Sequence, residues 1–144
     1  MPEIQLKLDY EWEHVESEKG KPYVFPQELT DFFKHRSHPA VYQWRVHKRD
    51  DLWVYVGETE SLARRVQGYL KPGPSQTTNI RIKKSFENFL ERGYEISLDT
   101  MRIKSLSIDG KLIENALDKM DTRRAIENIL TFKYGDSGIK LLNK

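Results

Sequence analysis

The feature that most restricts what this chain can fold into is a pair of strand-like runs, "AVYQWRV" at 40–46 and "LWVYVG" at 52–57. They are separated by the polar "HKRDD" and followed almost at once by the helix-like "TESLARRVQGYL". β-branched and aromatic residues dominate both runs, which predicts an antiparallel hairpin with its tip near Lys48 and Arg49. In such a hairpin Tyr42 and Tyr55 come nearly opposite each other and share one face. Gly57, two residues past Tyr55, falls on that face too and leaves room for a ligand to approach. A pair of ordinary aromatic core residues accounts for the same pattern.

The helix after the hairpin carries Leu62, Val66, Tyr69 and Leu70 at i, i+4, i+7 and i+8, an amphipathic stripe. At ~100° per residue Arg65 lies about 60° from Leu62 and about 40° from Tyr69, whereas Arg64 lies roughly opposite the stripe. Arg65 is therefore the inward arginine. A half-buried guanidinium beside two phenols suits an anion such as a phosphodiester, which it can hold with two donors. A structural pairing of Arg65 with Glu58 or Glu60 satisfies the geometry equally well.

Periodicity and punctuation organise the rest. "IQLKLDYEW" alternates like a strand, and "PQELTDFFKH" suggests a short helix opened by Pro26. "KPGPSQTT" stops the arginine helix, and a second helix over about 79–92 buries Ile82, Phe86, Phe89 and Leu90 before Gly93. "YEISLDTMRI" predicts a third strand, "SIDG" a turn, and the last helix starts at Asp121 or Thr122 and runs to Gly135. These elements predict an α/β domain with a three-stranded, mainly antiparallel central sheet, flanked by helices near 60–70, 79–92 and 121–134. Residues 1–37 form an N-terminal extension, a strand plus a short helix packed on the domain, and 38–144 form the domain itself.

A chain of 144 residues is one domain by size, and no apolar run is long enough to cross a bilayer. The start "MPEIQLKLDYEWEHVESEKG" lacks the basic and apolar blocks of a secretory signal. With no cysteine, disulfides and thiolate metal sites are excluded, which fits a cytoplasmic protein. The net charge is +2, yet residues 1–20 hold six acidic residues against two lysines, so the remainder is distinctly basic. Arg64, Arg65, Lys71, Arg81, Lys83 and Lys84 cluster around the hairpin–helix motif, where they form either a phosphate-attracting surface or solvated helix faces. His14, His35, His38 and His47 make no metal-binding pattern.

"AVY", then "YVG" after a short hairpin, then Arg65 ten residues past Tyr55, resemble the GIY-YIG nuclease pattern. "RRAIENILTFKYGDSGIKLLN" supplies that family's remaining landmarks, Glu127 in a late helix and Asn143 sixteen residues later. The resemblance covers about residues 38–144 and implies a GIY-YIG-like fold and divalent-metal-dependent hydrolysis of DNA phosphodiester bonds. By that resemblance Glu127 would hold one Mg²⁺ or Mn²⁺, Arg65 would stabilise the phosphorane, and Tyr42 would help deprotonate the attacking water with Tyr55 assisting. A phenol titrates near ~10, so it is a poor base at pH 7 unless a nearby cation lowers it, and Arg65 and the metal are the candidates. Tyr69 would contact the reacting phosphate and Asn143 would orient the C-terminal segment against the site.

The first triplet is "AVY" rather than "GIY", and Glu58 follows "YVG" where some relatives place a lysine, with Lys48 a conceivable substitute. Glu114 is a rival ligand to Glu127, and an i, i+4 pair with Arg123 is the non-functional explanation of Glu127. Thr78, Arg81 and Lys84, with Thr77, at the start of the second helix would grip a DNA strand. The partner implied is DNA, with monomer and homodimer both open. The competing function is a catalytically inactive nucleic-acid-binding module of the same fold.

Overall fold

The computed structural model describes residues 2–143. The N-terminal segment forms β1 (Leu6–His14), the small strands β2 (Glu16–Glu18) and β3 (Lys21–Pro22), and α1 (Asp31–His35). The hairpin follows as β4 (Ala40–Lys48) and β5 (Asp51–Thr59), then α2 (Leu62–Leu70) and α3 (Thr77–Glu91). β6 (Glu95–Ile108), β7 (Lys111–Leu112), a 3₁₀ turn (Ala116–Asp118), α4 (Met120–Asp136) and β8 (Lys140–Leu141) complete the chain. None of these helices is long and apolar enough to cross a membrane.

The sheet has six strands, not the three expected. Its order is β1-β6-β4-β5-β8, with β7 pairing β6 off that path. It is mixed, because β8 runs parallel to β5 at Trp53 and Val54 while the other pairs are antiparallel. The expected trio, β6-β4-β5, is present at its centre. The undercount has two causes. β6 continues five residues past the expected Ile103 and takes β1 along its whole length, a pairing with no local signal in the sequence. β7 and β8 have only two residues each, too few to show a period.

Alternation along β4 divides the core. Tyr42, Trp44 and Val46 face α2 and α3 and pack with Leu62, Val66, Tyr69, Ile82 and Phe86. Val41 on the opposite face joins Val54, Val56, Met101, Ile126 and Leu130 under α4. Each helix earns its place through the apolar stripe that meets one of these faces. Trp44, fully buried, has Tyr23, Phe25, Tyr69 and Phe86 around it at ring separations of 5.4–6.1 Å. Two of those rings come from the N-terminal segment.

Local signals set most helix ends. Ser61 caps α2 and Gly93, at φ +87°, ends α3. α1 differs from expectation: Thr30 caps it by accepting from the Phe33 amide at 3.2 Å, so Pro26 lies outside the helix. α4 begins at Met120, one residue before the expected cap, with no side-chain cap. On the α4 side of the sheet, Asp99 is buried but fully engaged, by Arg45 at 2.6 Å, His14 at 2.8 Å and Gln43 at 2.9 Å.

Candidate active site

The hairpin closes through Lys48↔Asp51, and its register then places Tyr42 opposite Gly57 and Trp44 opposite Tyr55. Tyr42 and Tyr55 therefore share a face as expected, but they are diagonal neighbours rather than opposed ones. The expected role of Gly57 changes with this register. A Cβ at Gly57 would land 2.9 Å from Cε2 of Tyr42 and closer still to its Cζ and hydroxyl. The glycine makes room for the Tyr42 ring, not for a ligand.

α2 delivers the next two groups. Val66 and Leu62 anchor its buried stripe, and the same phase sends Tyr69 into the core and leaves Arg65 half-buried at its edge. The Tyr69 hydroxyl lies 2.7 Å from that of Tyr42, the Tyr55 ring packs edge-on against Tyr69 at 6.3 Å, and the charge of Arg65 acts on the same cluster. Tyr69 is thus the hub of the phenol cluster. It is 0% exposed, so it cannot touch a phosphate directly, contrary to the role the resemblance implied.

The electrostatics follow from burial. Burial pushes the Tyr42 phenol far above its ordinary value, Tyr55 adds to the rise, and the opposing pull of Arg65 is smaller. Arg65 does lower Tyr42 as anticipated, but desolvation wins. Tyr69 is raised for the same first reason, with Tyr42 and Tyr55 adding to it. Burial opposes the charge on Arg65, yet Tyr42, Tyr69 and Glu58 outweigh it and hold the guanidinium protonated.

Two carboxylates stand near enough to this arginine to interact with it by charge. Glu127, half-buried on α4, has no hydrogen-bond or ion-pair partner among the described residues. Its carboxyl is pushed above the ordinary range by burial first and by Glu58 second, while Arg65 and Arg124 pull it down. Glu58, at the end of β5, receives Arg123 Nε at 2.9 Å on one oxygen and faces Arg124 Nε at 3.7 Å with the other. Arg123 is buried and also donates to the Leu117 carbonyl at 2.9 Å. The pair of Arg123 with Glu127 is therefore not made; Arg123 turns to β5 instead.

Arg64, Arg65 and Arg124 line one groove of about 380 Å³ with Glu58, Gln76 and Asn79. Arg64 is exposed, as its helix phase predicted, but it stands on the rim of this groove rather than away from it. Thr78, Arg81 and Lys84 are exposed on α3 and do not line it; Gln76 and Asn79 do. Glu114 belongs to a different and larger cleft, about 680 Å³ between β6 and residues 112–118. Lys48 donates to the Arg92 carbonyl at 2.6 Å at the hairpin tip, roughly 20 Å along the strand from Gly57. Asn143 clamps the β5 backbone beside the site, accepting from Val56 N–H at 2.9 Å and donating to its carbonyl at 2.6 Å.

Arg124 escaped the sequence reading, and Arg123 entered it only as a helix partner of Glu127, although it stands three residues before the core residue Ile126, which puts it on the buried face of α4. The donor set around Glu127 suits a hard cation held by one carboxylate, with water and a phosphate oxygen completing its shell. No group of three or more His, Asp or Glu side chains among the described residues could cage a metal. Arg65 and Arg124 oppose a bare cation there, so an incoming phosphate would favour its binding. No family model, curated protein or solved structure matches this chain.

Proposed function

We propose that this chain is a divalent-metal-dependent endonuclease that hydrolyses DNA phosphodiester bonds. The observation that supports this most is the half-buried Arg65 on a groove that Arg64 and Arg124 also line, with the partnerless carboxylate of Glu127 close enough to feel its charge and the packed phenols of Tyr42, Tyr55 and Tyr69 beside it. A permanently charged, half-buried guanidinium beside neutral phenols is an anchor for a phosphate. Water would attack the phosphorus, the bond to the leaving oxygen would break, and the proton from water would balance the charge left on that oxygen.

In this reading Arg65 binds the non-bridging oxygens and gains strength as their charge grows. Tyr42 and Tyr69, held as neutral phenols by burial and bonded to each other, wall the inner side of the site rather than carry the proton. Tyr55 is the one of the three with surface left open, so it is the phenol that a substrate or water meets. Glu127 would hold a Mg²⁺ or Mn²⁺, which supplies Lewis-acid polarisation of a phosphate oxygen.

The competing reading, a nucleic-acid-binding module without catalysis, draws support from the closure of Tyr42, which is 1% exposed and far from basic. Plasmid nicking with Mg²⁺, Mn²⁺ or EDTA, run beside Glu127→Ala, separates them. The nuclease reading expects metal-dependent nicking that Glu127→Ala abolishes while DNA affinity in EDTA persists. Binding without nicking in any metal establishes the module. Added Mn²⁺ should also raise the melting temperature of the parent with DNA and not that of Glu127→Ala.

A further inference from the structure

Glu58 divides its two oxygens between two arginines in very different situations. Arg123 is 4% exposed and bonds at 2.9 Å; Arg124 is 62% exposed and stands at 3.7 Å. The first contact is a satisfied, buried ion pair that fixes the carboxylate against α4. The second is too long to be a strong hydrogen bond. It orients the Arg124 guanidinium by charge while leaving its donors unspent, since Arg124 has no other partner among the described residues.

We propose that Arg124, aimed by Glu58, is a second phosphate-binding position of the groove, taking the phosphate next to the scissile one on the same DNA strand. This rests on the nuclease reading given above. Three observations carry it. Arg64 and Arg65 enter the groove from α2 and Arg124 enters from α4, so cations stand on two of its walls. Arg123 already takes one oxygen of Glu58 at 2.9 Å, and Arg124, though near the charges of Glu58, Glu60 and Glu127, forms no hydrogen bond among the described residues, so its donors are free for an anion. The groove volume, about 380 Å³, is many times the ~30 Å³ a single water takes, room for more than the one phosphate that Arg65 serves. An arginine whose fork is pre-aimed loses less freedom on binding than a lysine or an unrestrained arginine.

The test is anisotropy titration of a labelled DNA duplex in EDTA over a series of salt concentrations, paired with single-turnover cleavage in Mn²⁺. Arg124→Ala should flatten the slope of log K against log [salt] by about one unit. Arg124→Lys keeps the charge, so it should keep the parent's slope but bind several-fold more weakly. Thermal melts confirm that the exposed Arg124 variants fold. A parent slope in Arg124→Ala overturns the proposal and leaves the nuclease reading intact, because the parent still binds and cuts. A parent that shows no salt-dependent DNA binding overturns the nuclease reading and this proposal with it.

Discussion

The Tyr42 ring lies over the backbone of Gly57, its direct partner across the hairpin, so that residue 57 has no space for a side chain. Gly57→Ala must push the ring off Tyr69 and out of a core with no slack. The expected cost is roughly 1–3 kcal/mol or more, the range for overpacking a filled interior. Urea unfolding reads it directly. Tyr42→Leu in the same chain should recover part of the loss, and an alanine variant as stable as the parent would show that Tyr42 does not sit where it is described.

Arg65 and Arg64, adjacent in sequence, should respond to different measurements. Arg65→Ala removes the donor that tightens as charge develops, and single-turnover cleavage at saturating enzyme should fall by about 10² to 10³. Arg64→Ala removes an exposed rim charge. Its effect should appear in DNA binding, as a salt slope shallower by about one unit, with little change in the saturated rate. A slower saturated rate for Arg64→Ala than for Arg65→Ala would put the reacting phosphate on the other side of α2.

Asp51 predicts an acid-range effect. Lys140 first, at 2.6 Å, then Tyr94 and Trp53 hold its carboxyl down from 3.8 to about 2. A carboxyl depressed in the folded state stabilises the fold above its unfolded value and loses that contribution as pH falls. Asp51→Asn should therefore unfold at lower urea than the parent at neutral pH. The gap should close between about pH 3.8 and about pH 2. A gap unaffected by acid would mean that the Lys140 contact, which ties the hairpin tip to β8, does not form in solution.

Asn143 makes both backbone bonds of Val56 that a longer β8 would otherwise make. Asn143→Ala leaves a half-buried N–H and C=O unpaired, at a cost of roughly 1–3 kcal/mol. Hydrogen exchange at the Val56 amide should quicken far more than at Val46. If Val56 stays as protected as in the parent, the clamp is not what holds this edge.

The parts of the fold legible in sequence are those whose causes are local. The hairpin, the phase of α2 and the extents of α2, α3 and α4 rest on alternation, a helical stripe and glycine stops within a few residues. The sheet was undercounted because β1, legible as a strand, takes its place from β6 far away in the chain, and β7 and β8 are too short to show a pattern. Within the site, the shared face of Tyr42 and Tyr55 was readable from period two. The meaning of Gly57, the hub position of Tyr69 and the turn of Arg123 toward Glu58 were not, because each depends on which atoms of a different element fill the adjoining space. Resemblance named the site residues, but of these only Arg65 lines the groove, and only three dimensions show that two of the phenols are sealed from solvent.

The long-range pairing of β1 also governs how the chain reaches its fold. Partners across β1 and β6 are separated by 85 residues at His14 and Asp99 and by 104 at Gln5 and Asp109. Closing loops of that length precedes any reward from the contacts they bring, which slows folding. During synthesis, Leu8, Tyr10 and Trp12 leave the ribosome long before Met101 and Ile103 exist to receive them. The acidic residues interleaved among them, Asp9, Glu11 and Glu13, then act as gatekeepers, keeping an unpaired apolar strand from joining its copies on neighbouring nascent chains.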